Sequence, residues 1–372
     1  MTATLDRPDA VEEEPPAPQT AERFRPTAAG WAVRIGVVLV FIALVLLYVF
    51  ANKPFRSDDP LAAGVVIAIG ALSLNVLIGY AGQISLGHQA FIGIGAFTSG
   101  YVISQSHQSF YVALLAAAAI GALQASLLGL IALRVRGLYF ALITLAWGSV
   151  AETSIFRIES FTGGGAGQPA PRPGGFTTDR SFLLVCIVGL AIVLLIDWRL
   201  LATKAGRAMQ ALRESPQVAA NYGVNVRAYT LIAFAVSGTY AGIAGALFAS
   251  RRTTVVAIDF SFATIALPYL IVTVVGGLRR RGGIVAFALF YELGSKYLPE
   301  WAKSLGLPGY LESNAGYVVQ ILSGVLAILT LIFQPNGLGT FTSPVGKWLK
   351  GERFSLHDGA SGPGAEGVSA RP

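Results

Sequence analysis

Asn75, Gln83, Ser85, His88 and Gln89 stand close together in an otherwise apolar part of the sequence. Two kinds of amide, a hydroxyl and an imidazole in such company can hydrogen-bond one another inside a packed bundle. They can equally present donors and acceptors to a polar solute. His88 as a metal ligand is the weakest reading, because no second His, Cys or carboxylate stands at ligand spacing. The first two readings stay open. The segment Gln83 to Gln89 is a candidate to line or support a solute path, with Asn75 one or two turns before it.

Other chemistry finds little support. The nearest approach to a phosphate-binding loop, "GTFTSPVGKW" at Gly339 to Trp348, has six residues between its glycines, where such a loop has four. It also has Trp where a Mg²⁺-binding hydroxyl should follow the lysine. There is no zinc motif and no nucleophile elbow. No catalytic residue, metal or cofactor is therefore expected. Cys186, the single cysteine, lies in an apolar run, can form no internal disulfide and reads as a small hydrophobe. Within apolar segments the only carboxylates are Glu152, Asp197 and Glu292, with Asp197 at an expected membrane edge. Ion-coupled transporters commonly relay charge through intramembrane acids or imidazoles, so this scarcity argues against use of an ion gradient.

The elements that must position these residues are membrane helices. The 372 residues are 54% hydrophobic and 13% charged, with mean hydropathy +0.62. Soluble domains carry about 25% charged residues. The 43 glycines suit helices that approach closely in lipid. A hydrocarbon core about 30 Å thick needs roughly 20 helical residues. On that scale ten spans are expected: 31–51, 61–79, 84–103, 111–133, 138–156, 181–198, 228–250, 263–278, 282–298 and 314–334. The expected fold is an all-α integral membrane protein of about ten transmembrane helices. Residues 1–30 are expected as a disordered tail and 343–372 as a mostly disordered one, around a transmembrane core, 31–342.

Two stretches depart from plain spans. "GYAGQISLGHQAFIGIGAF", Gly79 to Phe97, is rich in glycine and polar residues. It is expected to be a broken helix, tolerable at membrane depth only against protein or a water-filled cavity. "ESFTGGGAGQPAPRPGG", Glu159 to Gly175, reads as a long loop whose Gly and Pro preclude a regular helix.

Orientation follows from Lys and Arg. With ten spans, the side holding both termini carries 18 of the 27 basic residues and is placed in the cytoplasm by the positive-inside rule. The basic residues cluster at span ends, so a nucleic-acid partner is not expected. Lys204 to Asn225, between two apolar runs, then lies on the cytoplasmic face. Good helix formers fill Lys204–Glu214. Ser215 offers an N-cap and Pro216 takes the first helical position. A second helix can run to Tyr222, where Gly223 suits a left-handed end. The basic residues Lys204, Arg207 and Arg213, with the small residues Ala208, Ala211, Val218, Ala219 and Ala220, read as a rigid docking surface for a cytoplasmic partner.

Five stretches of sequence together resemble branched-chain amino acid ABC transporter permeases of the LivM type. They are "LSLNVLIGYAGQISLGHQAFIGIGAFTSGY" (Leu72 to Tyr101), "RGLYFALITLAWG" (Arg136 to Gly148), "TGGGAG" (Thr162 to Gly167), "GRAMQALRESPQVAANYGVNVRAYTLIAFAVSGTYAGIAGAL" (Gly206 to Leu247) and "FQPNGLGT" (Phe333 to Thr340). The turn "GGLRRRGG", Gly276 to Gly283, departs from a family pattern with few charges.

The resemblance implies a bacterial plasma-membrane subunit that forms the path of an ATP-driven importer and hydrolyses nothing itself. Its implied partners are a homologous second permease (LivH-like), two cytoplasmic ATPases, an extracytoplasmic solute-binding protein and the lipid bilayer. The coupling residues it implies are Arg207, Ala211, Arg213, Glu214, Ser215, Pro216, Ala219 and Gly223. Branched-chain amino acids are the default solute. Urea, short amides or other small carboxylates are the alternatives in the same class, and an ion-coupled transporter or channel is the alternative outside it.

Overall fold

The computed structural model describes residues 59–135 and 137–304, with scattered helical positions between 321 and 332. The expected tails, the first span, most of the last span and the Phe333–Thr340 block lie outside the described residues.

The core helix is α1, Asp59–Asn75. Its sequence, DPLAAGVVIAIGALSLN, is apolar on every side, and an evenly apolar helix must be enclosed on every side. Nearly all its residues are buried. The helix widens into a π turn at Val76–Tyr80, and the chain then runs irregularly through residues 81–87. Helix α2, His88–Ser104, follows. The expected break is therefore present but shorter than expected. Residues 88–97 form unbroken helix, because the two glycines there, Gly93 and Gly95, weaken a helix without ending it.

Helices α3 (Phe110–Ala132) and α4 (Leu138–Thr153) come next, then a one-turn α5 (Glu159–Thr162). The 159–175 stretch is expected as a loop with no regular helix. It holds α5, a 3₁₀ turn at Gly164–Ala166, and strand β1, Gln168–Pro169, paired antiparallel with β2, Thr254–Val255. Two-residue strands carry no readable alternation, so pairing across the bundle end leaves no sequence trace. After α6 (Asp179–Ala202) come the short helices α7 (Lys204–Glu214) and α8 (Pro216–Asn221). Then α9 (Val226–Arg252) crosses back. A π turn at Phe262–Ala266 leads into α10, Leu267–Gly276, and α11, Arg281–Ser304, completes the described bundle.

Among the described residues, five segments are long and apolar enough to cross a membrane: Asp59–Tyr80, Phe110–Ala132, Leu138–Arg157, Asp179–Ala202 and Val226–Arg252. Phe262–Gly276 is a shorter apolar helix. The expected span 84–103 begins late, at His88, because the break occupies its first turn.

α9 is the main packing partner of α2 and α3 and also packs on α1, which α11 covers at least as fully. Its closest approach to α3 is glycine on glycine. A Cβ added to Gly238 would lie 2.1 Å from the Gly121 carbonyl oxygen, and one added to Gly121 would lie 2.2 Å from the Gly238 oxygen. Close backbone approach replaces the hydrophobic drive that lipid removes. Outward, α3 exposes Leu115, Leu123, Leu127 and Leu130. We expect Gly238→Val to separate the two helices and to cost about 1–3 kcal/mol, the usual range for overpacking. Thermal unfolding of the purified protein in detergent reads this directly, and an unchanged midpoint would refute the packing assignment.

Ion pairs gather at the bundle end opposite α7 and α8. Arg251 donates to both carboxylate oxygens of Asp59, at 2.8 and 2.9 Å, and Arg172 pairs with Asp179 at 2.7 Å.

Candidate functional site

The five candidate path residues gather around the break, at the α7–α8 end of the bundle. Asn75, Ser85, His88 and Gln89 are buried, and Gln83 is half-buried. The break is held by its own backbone, with Gln83 N–H donating to the Leu77 carbonyl at 2.9 Å, and by α4. Leu86 N–H donates to Thr144 Oγ1 at 3.0 Å. A Cβ on Gly87 would lie 1.7 Å from the Thr144 oxygen, and one on Gly148 would lie 2.4 Å from Gln89 Nε2. Only glycines allow the break to lie this close to α4.

His88 touches α1. Its Nε2 is in close contact with Ser73 Oγ. The Ser73 hydroxyl donates to the Gly70 carbonyl at 2.8 Å, and Ser237 of α9 donates to the Ser73 carbonyl at 2.8 Å. With the serine proton already committed, Nε2–H is the donor to Ser73. That tautomer, assigned from the hydrogen-bond network, leaves Nδ1 as a free acceptor lone pair.

Most buried polar atoms in proteins find a partner. Here each candidate residue carries at least one that has none among the described residues. They are Asn75 Nδ2, Gln83 Oε1, Ser85 Oγ, His88 Nδ1 and both amide atoms of Gln89; Trp147 Nε1 on α4 is a further case. Asn75 Nδ2, Gln89 Nε2 and Trp147 Nε1 are donors. Gln83 Oε1, Gln89 Oε1 and His88 Nδ1 are acceptors. The set is neutral and offers both roles. No group of three or more His, Cys, Asp and Glu that could hold a metal occurs among the described residues.

Beside the break sits the helix pair. Ser215 accepts from Val218 N–H at 3.3 Å, and Pro216 is at the first position of α8. Gly223 is left-handed, with φ +79°. Of the expected coupling residues, Arg207, Ala211, Glu214 and Gly223 are exposed, while Arg213, Ser215 and Pro216 are half-buried. Two residues expected on the docking surface are not there. Ala208 and Ala219 are buried, at 8% and 4% exposure. The helical period puts Ala208 with Met209 and Leu212 on the bundle side. The outer surface holds the expected Val218, 52% exposed, and adds the aromatic Tyr222, 85% exposed.

A cavity of about 10 Å³, the space of one water, separates the pair from the break, between Gln83, Met209, Leu212 and Tyr229. A cavity of about 240 Å³ lies at the other end of the bundle, around Phe110, Tyr111 and Arg172.

Residues 58–333 match the family described as "Branched-chain amino acid transport system / permease component". The chain belongs to this family. The permease is 28% identical over 348 residues to the high-affinity branched-chain amino acid transport system permease protein LivM of Escherichia coli (strain K12), an alignment covering 86% of this chain and 78% of that one. It is 28% identical over 341 residues to the protein of the same name in Salmonella typhimurium, covering 83% and 77%. It is 24% identical over 306 residues to a probable branched-chain amino acid transport permease protein LivH of Methanocaldococcus jannaschii, covering 81% and 88%. No solved structure matches the chain. The permease is thus a multi-pass membrane protein of a transport family.

The sequence reading missed several groups at the permease's break. Thr144, Trp147 and Gly148 share one face of α4 at the spacing i, i+3, i+4, a signal available in "RGLYFALITLAWG" but not assigned. Asp197, expected at a membrane edge, is fully buried. It accepts from the Tyr80 hydroxyl at 2.9 Å and pairs with Arg281. Glu152 is half-buried and accepts from Phe262 N–H at 3.3 Å. Cys186 is buried.

Proposed function

We propose that this permease is the path-forming subunit of an ATP-driven importer of branched-chain amino acids. It would work beside a homologous second permease, two cytoplasmic ATPases and an extracytoplasmic binding protein. The observation that carries the reading is the juxtaposition of a neutral set of unpartnered donors and acceptors with a capped helix pair on one end of the bundle. A zwitterion needs acceptors for its ammonium and donors for its carboxylate, and no net charge from its site. A net anion would call for a fixed cation among these residues, which favours amino acids, or neutral amides such as urea, over simple carboxylates. Weak, neutral contacts also suit a solute delivered by a tight-binding partner, since a strong site slows release.

Tyr222, Val218 and Ala211 give the helix pair an outer surface that a groove on an ATPase can take up. Closure of the ATPases would push on α7 and α8 and shift the permease between two access states. No residue of this chain is assigned to hydrolysis. Both termini, and the pair, are assigned to the cytoplasm of a bacterial cell on the 18-to-9 division of basic residues.

Uptake of labelled leucine by intact cells tests the function. Loss of uptake on deleting the ATPase partner, with ion gradients intact, is expected. Loss on adding an uncoupler while ATP is preserved would favour an ion-coupled carrier. Excess isoleucine or valine should compete, and competition by urea alone would move the assignment to amides.

Orientation has its own test. In a Cys186→Ser background, Gly165→Cys, in open space on the loop after α5, should react with an impermeant thiol reagent added outside. Gln217→Cys, exposed on α8, should react only after the membrane is opened. The opposite pattern would overturn the cytoplasmic placement of the pair.

A further inference from the structure

The end of α1 is gripped from three directions. The Arg213 guanidinium, from α7, donates to the Gly79 carbonyl at 2.8 Å. The backbone N–H of Arg279, in the turn between α10 and α11, donates to Asn75 Oδ1 at 2.7 Å. The Tyr80 hydroxyl donates to Asp197 of α6, which Arg281 of α11 also holds. All three grips fall on Asn75–Tyr80, the π turn and the residue before it. Such π turns are frequent at functional sites.

The three grips are not equivalent. Asp197 is fully buried and its partner Arg281 is 23% exposed. Removing one partner of such a pair strands the other charge, so Tyr80–Asp197–Arg281 is a fixed anchor joining α1, α6 and α11. Arg213 belongs to the helix pair. Its stem also lies on the first residues of the break, where a side chain on Gly82 would come within 2.9 Å of Arg213 Cγ. Gly82 is left-handed, φ +67°, and Gln83 follows. One side chain thus touches the residues just before and at the start of the break. On the same helix Met209 and Leu212 are buried against the bundle, while Ala211 and Glu214 face outward.

We propose that Arg213 is the positioning residue that carries movement of the α7–α8 pair into the polar break, by drawing Gly79 and Gly82 against the Tyr80–Asp197–Arg281 anchor. The proposal rests on the importer reading above, because that reading supplies the movement. Arg213 touches no solute. It sets where Gln83 and the residues after it stand in each state.

The test uses the full importer in vesicles, with ATP hydrolysis and leucine uptake measured together. Arg213→Lys keeps a long stem and a donor able to reach Gly79. Arg213→Met keeps the stem and loses the donor. Leucine carried per ATP should stay within about threefold of the parent in the lysine variant. It should fall at least about fivefold in the methionine variant, the lower end of ordinary coupling strengths, with hydrolysis continuing. Equal ratios in both variants would overturn the proposal. A merely structural role would lower assembly without separating uptake from hydrolysis.

A second measurement needs no change at Arg213. In the Cys186→Ser background, the thiol reactivity of Gln83→Cys should differ between nucleotide-free and ATP-trapped complexes. Equal reactivity in the two would also overturn the proposal. If the parental complex shows no ATP-driven uptake, the importer reading falls and this inference with it. If the parent transports and the Arg213 variants behave alike, only the inference falls.

Discussion

Replacement of Glu214–Pro216 by a flexible Gly/Ser segment is expected to cut leucine uptake more than about tenfold, a coupling loss within the ordinary allosteric range, while the partner ATPases continue to hydrolyse ATP. The reason is local. Ser215 sits in an extended conformation (φ −157°, ψ 110°) and closes α8 with its side chain, while Pro216 fixes the first turn. Losing such a cap costs about 0.5–2 kcal/mol, and glycine adds backbone freedom. A six-residue helix has little else to hold it. Force applied to Tyr222 and Val218 would then bend the turn instead of moving α7. The bundle should still insert, because α7 remains seated through Met209 and Leu212, both buried. Parallel measurement of hydrolysis and uptake decides the matter, and a parental ratio of the two would remove the helix pair from the mechanism.

The second large effect is expected at the break. His88→Ala and Gln83→Ala should each lower the uptake rate by about tenfold, the scale of one hydrogen bond lost where water is scarce, while the docking affinity of the binding protein stays near parental. The two substitutions probe different contacts. His88 supplies the free Nδ1 acceptor and is itself fixed by Ser73, whereas Gln83 is half-buried and supplies an amide oxygen. Removal of the Gln83 side chain leaves the backbone bond to Leu77 in place, so the fold should survive. Vesicle uptake, a docking titration and an expression check separate the outcomes. If both variants insert normally and transport at the parental rate, the break is a packing feature and the solute assignment is withdrawn.

Much of this was legible in the residues. Long apolar runs reveal helices because helical length and bilayer thickness are tied together. The ends of α7 and α8 were legible because caps are chemical: Ser215, Pro216 and Gly223 each do one local job. The break could be seen from glycines and amides where apolar residues were expected. What stayed hidden was non-local. Asp197 looks like an edge residue until Tyr80, 117 positions away, and Arg281, 84 away, are brought to it. The "GGLRRRGG" turn reads in sequence only as a departure from the family pattern; its Arg279 N–H and Arg281 side chain hold α1 and α6. Ala208 and Ala219 were placed outside because small residues were read as a surface rather than by their phase on the helix. The face formed by Thr144, Trp147 and Gly148 was visible as a spacing, but nothing in the sequence tells which element it meets.

The central claim is that this permease moves a branched-chain amino acid with energy from ATP, delivered through the α7–α8 pair. The most direct measurement is leucine uptake into vesicles holding both permeases and both ATPases, with binding protein outside, ATP inside and no ion gradient. The account predicts uptake that follows ATP hydrolysis, stops when binding protein is omitted, and fails in the Gly/Ser replacement of Glu214–Pro216. Uptake that needs an imposed ion gradient and ignores ATP would contradict it.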